Sequence, residues 1–363
     1  MHTKNEKMKK TTGIGQVLFL LILGSLSLLI GCNETVQKLT KKELQKALYP
    51  SDVIPFFYNW KLVLGNGSNI GFAIQYKHHD YFYTVNDGTN DWIVFKAPIK
   101  GVNNSTIKNT RTELEQVKKW YPQTAKEKLS ATLKVKNVSA TGDARLGASY
   151  SVVVGQINST DGHKNQPLKI FYKKFPGHTK GSVFWCYDTN SKSDENAQRW
   201  DYSEAVWGHD FSVVGSSEKI CPEEPKDGIA LGEEFSYQIA VEAGIMHLTF
   251  ISKDHKTKTF TKNLMKLEND VTTPIPDQKQ ELFVPIGELD AKSYAGEGLF
   301  FKLGAFNETE QNALKFTENT PVNNTIQKQY KDGNYSEVWF KTASLFVSDN
   351  AVSNEDYFIK SKP

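Results

Sequence analysis

Runs of β-branched and aromatic residues recur along most of this chain, and clusters of Asn, Gly and Asp separate them. Within the runs, apolar and polar residues alternate, as they do in strands with one face on a core and one face exposed. Beyond the N-terminal tether described below, helical patterns are confined to two patches, at 189–207 and around 308–316. The chain therefore predicts an all-β fold, a jelly-roll β-sandwich. The runs are Trp60–Leu64, Tyr81–Val85, Leu129–Val135, Leu168–Lys173, Ser182–Tyr187, Phe235–Val241, His247–Ile251 and Glu337–Val347.

The first 31 residues have the features of an export signal. Four lysines precede an apolar run at 17–30, which is shorter than the roughly 18 residues that a membrane span needs. The sequence Leu29-Ile30-Gly31-Cys32 closes the run with small residues before a cysteine, as in a lipobox. We predict a lipoprotein signal peptide at 1–31 and lipidation of Cys32; the alternative is an uncleaved N-terminal anchor helix. Asn33, where an aspartate would signal retention in the inner membrane, favours an outer-membrane lipoprotein of the cell envelope.

The remainder of the chain is predicted to be a tether followed by one domain. Residues 32–50 form a short polar segment with leucines at loose helical spacing, and 51–363 contain no Pro/Ser-rich linker. The formal charge of +3 comes mostly from the four lysines of the signal, so the mature chain is close to neutral. This balance gives no bulk basic field for nucleic acid. We expect a monomer that contacts the membrane through its lipid only.

Two cysteines remain after Cys32, and no histidine spacing is typical of a metal site. In an exported protein, Cys186 and Cys221 can form a disulfide, which would close a loop of roughly 35 residues and contribute about 3–4 kcal/mol. Two unpaired thiols are the alternative. The eight histidines are scattered. His78 and His79 are adjacent and would point to opposite faces of a strand, so we predict no metal ligands.

One strand carries polar groups suited to a ligand. In Phe300-Phe301-Lys302-Leu303-Gly304-Ala305-Phe306-Asn307-Glu308, alternation predicts that the exposed face holds Lys302, either Phe306 or Asn307, and Glu308. A rigid strand of a sandwich is well placed to bind a long polar ligand, although most such strands are only structural.

Three segments together resemble the signature set of polysaccharide lyase family 7, the alginate lyase 2 group. They are Thr110-Arg111-Thr112-Glu113-Leu114-Glu115, Val152-Val153-Val154-Gly155-Gln156-Ile157-Asn158 and the strand from Phe300 to Glu308. The family shows an Arg-Ser/Thr-Glu-Leu-Arg strand, a Gln-Ile/Val-His strand and a Tyr-Phe-Lys-Ala-Gly-Val-Tyr-Asn-Gln strand. Further similarity in strand order and spacing covers most of the domain. The resemblance implies a jelly roll in which all three strands line one concave substrate groove.

The resemblance also implies a chemistry, β-elimination of a uronate polymer such as alginate. The proton at C5 is removed next to a carboxylate, so that carboxylate must be neutralised while charge develops. A base takes the proton, and an acid protonates the departing glycosidic oxygen. The family needs no cofactor for this reaction.

Carried over by position, Arg111 matches the neutralising arginine, Gln156 the amide, and Lys302 the groove lysine. Glu113 matches the glutamate that shares the face of Arg111 and orients it; an ordinary ion pair is the structural alternative. The catalytic set is thus Arg111, Gln156 and Asn158, and the substrate-binding set is Glu113, Lys302, Phe306 and Glu308.

This chain departs from the family at four positions. Asn158 stands at the histidine position and Phe306 at the proton-handling tyrosine position, while Glu115 and Glu308 replace an arginine and a glutamine. Asparagine is no base near neutral pH, and phenylalanine has no proton to give. Two added carboxylates also make the groove less favourable for a polyanion.

Three hypotheses follow from these departures. The first is an active lyase whose acid and base come from elsewhere. The second is a degenerate lyase that only binds polysaccharide at the cell surface, and the third is a structural lipoprotein without a ligand. The candidates for the acid and base under the first hypothesis are Tyr172, Tyr187, Tyr335, His178 and His209.

Overall fold

The structure is a computed structural model. It describes residues 46–55, 57–101, 109–144, 147–160, 166–188, 190–191, 201–211, 222–266, 291–309 and 325–347. By its internal contacts the chain divides into a unit at 1–46 and a compact unit at 47–363. In the parts that are described, no helix is both long and apolar enough to cross a bilayer. The predicted signal, Cys32 and most of the tether lie outside the described residues, so these remain predictions.

Antiparallel strands make up most of the described chain, as the alternating pattern predicts. Their bounds are β1 Trp60–Val63, β2 Asn69–Gly71, β3 Phe82–Asn86, β4 Asp91–Pro98, β5 Arg111–Gln116, β6 Lys126–Asn137, β7 Ser151–Ser159, β8 Leu168–Lys173, β9 Lys180–Asp188, β10 Asn190–Ser191, β11 Asp201–Trp207, β12 Ile229–Ala230, β13 Glu234–Glu242, β14 Ile245–Ser252, β15 His255–Asn263, β16 Ala291–Lys292, β17 Leu299–Asn307 and β18 Tyr335–Phe346. The helices are α1 Pro50–Val53 and α2 Ile326–Lys331, with 3₁₀ turns at Phe57–Asn59 and Pro122–Thr124.

The strands form two large sheets and one small one. The nine-stranded sheet has the order β11-β9-β8-β7-β17-β5-β1-β2, with β12 paired to β9. The seven-stranded sheet has the order β15-β14-β13-β6-β18-β4-β3, and β10 pairs with β16. Strand β17, from the C-terminal part of the chain, therefore lies between β5 and β7.

The core lies between the two large sheets. Trp185 of β9 meets Phe260 of β15 with ring centroids 5.6 Å apart, and the Tyr237 hydroxyl of β13 donates to the Val154 carbonyl of β7 at 3.1 Å. These contacts join opposite sheets, and the residues around them are fully buried or nearly so. The predicted jelly-roll sandwich is the fold that results.

The helical patch predicted at 189–207 is wrong where the structure describes it. Residues Asp201–Trp207 form β11, which pairs antiparallel with β9, and Asn190–Ser191 form β10. Tertiary pairing overrides the local pattern, because Val206 and Trp207 are buried in the core. Of the second patch, 308–309 follow β17 without helix, and 310–316 lie outside the described residues.

Candidate active site

The three motif strands are neighbours in the nine-stranded sheet. Lys302 of β17 lies opposite Glu115 of β5 on one side and opposite Gln156 of β7 on the other. Phe306 lies opposite Arg111. Residues that are cross-strand neighbours share a sheet face, so the register brings the motif side chains together. We call the outer face of this sheet around Arg111, Gln156 and Lys302 the site face.

Core and site faces alternate along β17 and β5, whereas an irregularity in β7 brings both Val153 and Gln156, three residues apart, to the site face. Phe301 and Leu303 point into the main core between the sheets, whereas Lys302 and Phe306 do not belong to that core. Phe306 instead joins a second buried cluster, on the site face. The other members of this cluster are Val153, Phe171, Phe184 and Cys186, with Phe211 packed against them.

Glycine at 304 allows the two central strands to approach closely. Gly304 has φ +148°, and a Cβ added there would lie 2.3 Å from the Thr112 carbonyl oxygen and 2.8 Å from the Glu113 Cα. A side chain would therefore force β5 and β17 apart. The close approach holds Glu113 beneath the site face, where its side chain is 1% exposed.

Glu113 and Gln156 form the buried centre of the site. The Gln156 side-chain amide donates a short hydrogen bond to Glu113 Oε1. Burial raises the pKa of Glu113, while the nearby charges of Lys302 and Arg111 oppose that shift. A carboxyl in this setting keeps a proton to higher pH than an exposed glutamate.

Lys302 is engaged by carboxylates of the chain itself. Its Nζ lies 2.6 Å from Glu115 Oε1 and 4.0 Å from Glu113 Oε2, and the lysine is nearly buried. Glu115 is the residue that replaces an arginine of the family motif. A substrate carboxylate that approached Lys302 would have to compete with this internal ion pair.

Arg111 is the motif cation that remains accessible. It is half-buried, its guanidinium carbon lies 4.2 Å from the centre of the Phe306 ring, and it borders a cavity of about 130 Å³. Phe306 is 8% exposed, and its ring face packs against this guanidinium. The substrate-binding role predicted for Phe306 thus takes the form of support for Arg111.

Three buried acceptor oxygens at the site make no hydrogen bond within the described residues. They are Oε2 of Glu113, Oε1 of Gln156 and Oδ1 of Asn158. Asn158 lies two residues beyond Gln156 on the same face of β7 and opposite Phe300. Buried acceptors without donors are uncommon in proteins, and a ligand that brings hydroxyl donors would satisfy them.

The end of β17 resolves the choice between Phe306 and Asn307. Asn307 is fully buried and its side-chain amide donates to the Ala97 carbonyl at 3.2 Å, so it turns away from the site face. Glu308 follows the strand, where its backbone amide donates to the Ser151 carbonyl at 3.3 Å.

The tyrosines named as alternative acids or bases do not reach the site. Tyr172 and Tyr187 lie in the main core between the sheets, and the Tyr172 hydroxyl donates to the Ile229 carbonyl at 2.9 Å. Burial raises the pKa of Tyr172 far above its usual range. Tyr335 belongs to the other sheet, where Lys96 Nζ lies 4.3 Å from its ring centre. These three assignments are wrong for this reason.

The two histidines named with them lie at one end of β9. The His209 backbone amide donates to Ser182 Oγ at 2.8 Å, and the His209 ring meets Phe211. His178 packs against Phe175. Ser182 is four residues along β9 from Cys186, the residue in register with the Gln156 row. Neither histidine contacts Arg111 or Gln156 among the described residues.

The cysteine and histidine predictions have different outcomes. Cys186 is buried in the second cluster on the site face, and Cys221 lies outside the described residues, so the disulfide stays a prediction. His78 forms an isolated β-bridge with Phe82 and His79 follows it in a turn, so the pair does not lie within a strand. Their rings stack 5.0 Å apart, and together with Asp80 their ligand atoms fall within 4.8 Å of one another. The strand argument against this pair is therefore wrong, although His79 is already paired with Asp80 at 3.1 Å.

Lys119 is a site residue that sequence reasoning missed. Its Nζ lies 3.2 Å from the centre of the Phe300 ring. The signal was present: Arg111, Glu113, Glu115 and Lys119 have the same parity, so alternation continued past the end of β5 leads to this lysine.

An antiparallel sandwich with Arg111, Gln156 and Lys302 gathered on one sheet face defines the class of jelly-roll polysaccharide lyases. A model of the alginate lyase family matches residues 55–347. The chain belongs to this family, polysaccharide lyase family 7, as the sequence motifs indicated, and family membership supports a polysaccharide lyase.

Individual relatives agree with this assignment. The exolytic family 7 alginate lyase AlyA5 from Zobellia galactanivorans has a solved structure with 51% identity and a TM-score of 0.72, covering 84% of this chain and 100% of that one. An alginate lyase from Klebsiella pneumoniae is 26% identical over 274 residues, which span 66% of this chain and 74% of that protein. Alginate lyase A1-II' is similar in fold, with 17% identity and a TM-score of 0.51 over 84% of this chain and 99% of that one. That structure is a variant with histidine changed to asparagine and tyrosine to phenylalanine, in complex with substrate.

Proposed function

We propose that this protein binds a uronate polymer such as alginate against the site face and cleaves it by β-elimination. The arrangement that carries the proposal is an accessible guanidinium, Arg111, on the same sheet face as three buried oxygens that make no hydrogen bond within the described residues. A polyhydroxylated acid matches this arrangement, because its carboxylate suits the guanidinium and its hydroxyls suit the oxygens. The alginate lyase activity of the relatives supports the same substrate class.

In this reaction Arg111 and Gln156 neutralise the charge of the substrate carboxylate. In the proposed reaction Arg111 binds the carboxylate next to C5, and the second amide hydrogen of Gln156 donates to the same group. Both act where negative charge develops as the C5 proton leaves, and such preorganised donors stabilise that charge. Phe306 and Glu113 hold the two donors in place through the ring contact and the buried hydrogen bond.

The first test measures elimination directly. The purified mature chain is incubated with alginate, polymannuronate, polyguluronate and other uronate polymers, and the ultraviolet absorbance of the new C4–C5 double bond is followed. We expect product from at least one polymer and none with Arg111→Ala. Lys126→Met, which removes an exposed lysine on β6 in the other sheet, is the matched control and should behave as wild type. Elimination that survives Arg111→Ala overturns the proposal.

A second function, binding without turnover, is favoured by Asn158 and Phe306. These residues stand where the family has its histidine and tyrosine, and the A1-II' variant that carries the same two residue types was captured with substrate. Calorimetry with alginate oligosaccharides distinguishes the functions. Binding without any unsaturated product supports the second function, and neither binding nor product supports a structural lipoprotein.

We also propose that the protein is anchored to the outer membrane through lipid on Cys32. The basic segment, apolar run and lipobox support this placement. Cys32→Ser should leave an unprocessed or soluble form, measured by membrane fractionation and intact mass. An unchanged mass together with unchanged fractionation would contradict lipidation.

A further inference from the structure

We propose that Lys61 and Lys119 form a second carboxylate-binding subsite, which holds a sugar of the same polymer at a distance from the sugar bound by Arg111. This inference rests on the polymer binding in the proposed function, and it extends that function to the length of chain that the protein engages. Both lysines lie outside the three motif strands.

A row of cross-strand partners leads from the centre of the site to Lys61. Gln156 of β7 lies opposite Lys302 of β17, and Lys302 lies opposite Glu115 of β5. Glu115 in turn lies opposite Lys61 of β1. Lys61 is exposed, and its two neighbours along β1 are core residues, so its side chain is on the site face. Three strand spacings separate Lys61 from Gln156, a distance of about 14 Å.

Lys119 reaches the same edge of the site face from the segment that follows β5. The next residue, Trp120, bridges Leu299 through backbone hydrogen bonds of 2.9 Å and 2.7 Å, and its ring packs in the core. Lys119 therefore points to the site face, where its Nζ lies 3.2 Å from the centre of the Phe300 ring. The Nζ of Lys302 lies 5.6 Å from the same ring centre. One aromatic ring thus holds Lys119 beside the row that leads to Lys61.

The two lysines give this edge a positive charge that the described part of the chain does not neutralise. Within the described residues, no ion pair joins Lys61 or Lys119 to a carboxylate, whereas Glu115 holds Lys302 at 2.6 Å. The pKa of Lys119 is lowered most by burial of its amine and is raised by Glu115. The charges of Lys302 and Lys61 lower it further, so the amines repel one another. A carboxylate bound between them would relieve this repulsion.

A uronate polymer is the ligand that matches two separated cationic positions on one face. It carries a carboxylate on every sugar, so a single chain can place one at Arg111 and another at the lysine pair. A small anion gains from one position only. Because the lysines are remote from the reacting bond, they should bind the ground state and the transition state equally, which lowers KM and leaves kcat unchanged.

Binding and turnover as a function of chain length test the subsite. Calorimetry and the unsaturated-product assay are run with alginate trisaccharides, octasaccharides and polymer on wild type, Lys61→Met and Lys119→Met. For octasaccharides and polymer, each variant should weaken Kd and raise KM at least about fivefold, because a charge-assisted contact is lost. For trisaccharides, which are too short to reach from Arg111 to the lysines, the change should be less than about twofold, and kcat should stay within about twofold at every length.

Three control variants separate charge at this edge from other effects of substitution. Lys61→Arg and Lys119→Arg keep the charge and should retain at least half of the affinity for octasaccharides. Lys128→Met removes a comparable pair on the other sheet, where Lys128 Nζ lies 6.0 Å from the centre of the exposed Phe346 ring. It should behave as wild type at every length.

The outcomes for the subsite and for the proposed function are distinct. A loss below twofold for octasaccharides in either Lys→Met variant overturns the subsite, while elimination that depends on Arg111 leaves the proposed function standing. An equal loss at all lengths also overturns the subsite, because the shortest ligand cannot reach it. If wild type binds oligosaccharides without product, the lyase function fails, and the length dependence of Kd still decides the subsite. If wild type binds none of them, both fail.

Discussion

The Arg111 guanidinium carbon lies 4.2 Å from the centre of the Phe306 ring. The two residues are register partners on β5 and β17, and the ring belongs to the buried cluster on the site face. A tyrosine at this position would keep the same support and add a hydroxyl. Phenylalanine in place of tyrosine at position 306 therefore removes a proton donor from the site but keeps the ring that packs against Arg111.

Arg111→Ala and Arg111→Lys test the neutralising role. We expect elimination to fall below detection with Arg111→Ala and binding of alginate oligosaccharides to weaken at least tenfold. Arg111→Lys should restore less than a tenth of the activity, because an ammonium cannot form the bidentate contact of a guanidinium. Calorimetry and the unsaturated-product assay measure the two effects. Full activity in Arg111→Lys would show that only positive charge matters here.

The pair Asn158→His and Phe306→Tyr, made together, tests whether the site already has its proton-transfer groups. If wild type already has proton-transfer groups elsewhere in the site, the double change should alter kcat by less than about tenfold. General acid–base groups contribute about 10²–10⁴-fold each, so a gain of that size would show that wild type lacked them. That gain would support binding without turnover. Circular dichroism of the double variant checks that the fold is kept.

Glu113→Gln should change the pH dependence of stability. Burial raises the pKa of Glu113 in the folded state, so the folded chain binds more protons than the unfolded chain above about pH 4.5. The free energy of unfolding contributed by this group is retained below that pH and is lost as the pH rises through the folded pKa. Each unit of the shift corresponds to about 1.4 kcal/mol.

Urea unfolding of wild type and Glu113→Gln between pH 4 and pH 8 measures this effect. The stability of the variant relative to wild type should increase as the pH rises. Glu242→Gln, which changes an exposed carboxylate at the end of β13, is the control and should give a constant difference. A relative stability of Glu113→Gln that falls with pH would show that the carboxylate is stabilised when ionised.

Gly304→Ala tests the close approach of β5 and β17. The added Cβ would meet the Thr112 carbonyl oxygen at 2.3 Å, so the free energy of unfolding should fall by about 3 kcal/mol. Gly88→Ala is the matched control, because Gly88 also has positive φ, +96°, but has nothing within 4 Å of an added Cβ. Its loss should be about 1 kcal/mol, from backbone strain alone. Equal losses in the two variants would exclude a steric origin.

The alternation of apolar and polar residues predicts which side chains of one strand share a face. The contacts between strands depend on which strands pair, and the sequence does not show this. Alternation correctly groups Arg111 with Glu113 and Lys302 with Phe306, because these strands keep regular register. It fails for Tyr172, because every residue of β8 is buried and the sequence shows no difference between the two faces. The sequence also gives no sign that Glu115 and Lys302 are cross-strand partners, since that contact depends on which strands are neighbours.

The position of β17 has a consequence for biosynthesis. Strands β5 and β7 are made early, but they do not pair with each other; each pairs with β17, which is made near the end of the domain. During synthesis, which begins at the N-terminus, β5 and β7 therefore each keep one unpaired edge until β17 has been made. Until then the chain carries Arg111 and Gln156 of the site but not Lys302. Such long-range pairing slows folding. It also means that a truncated or incompletely made chain presents no finished site, so a premature fragment could not engage polymer before the whole domain exists.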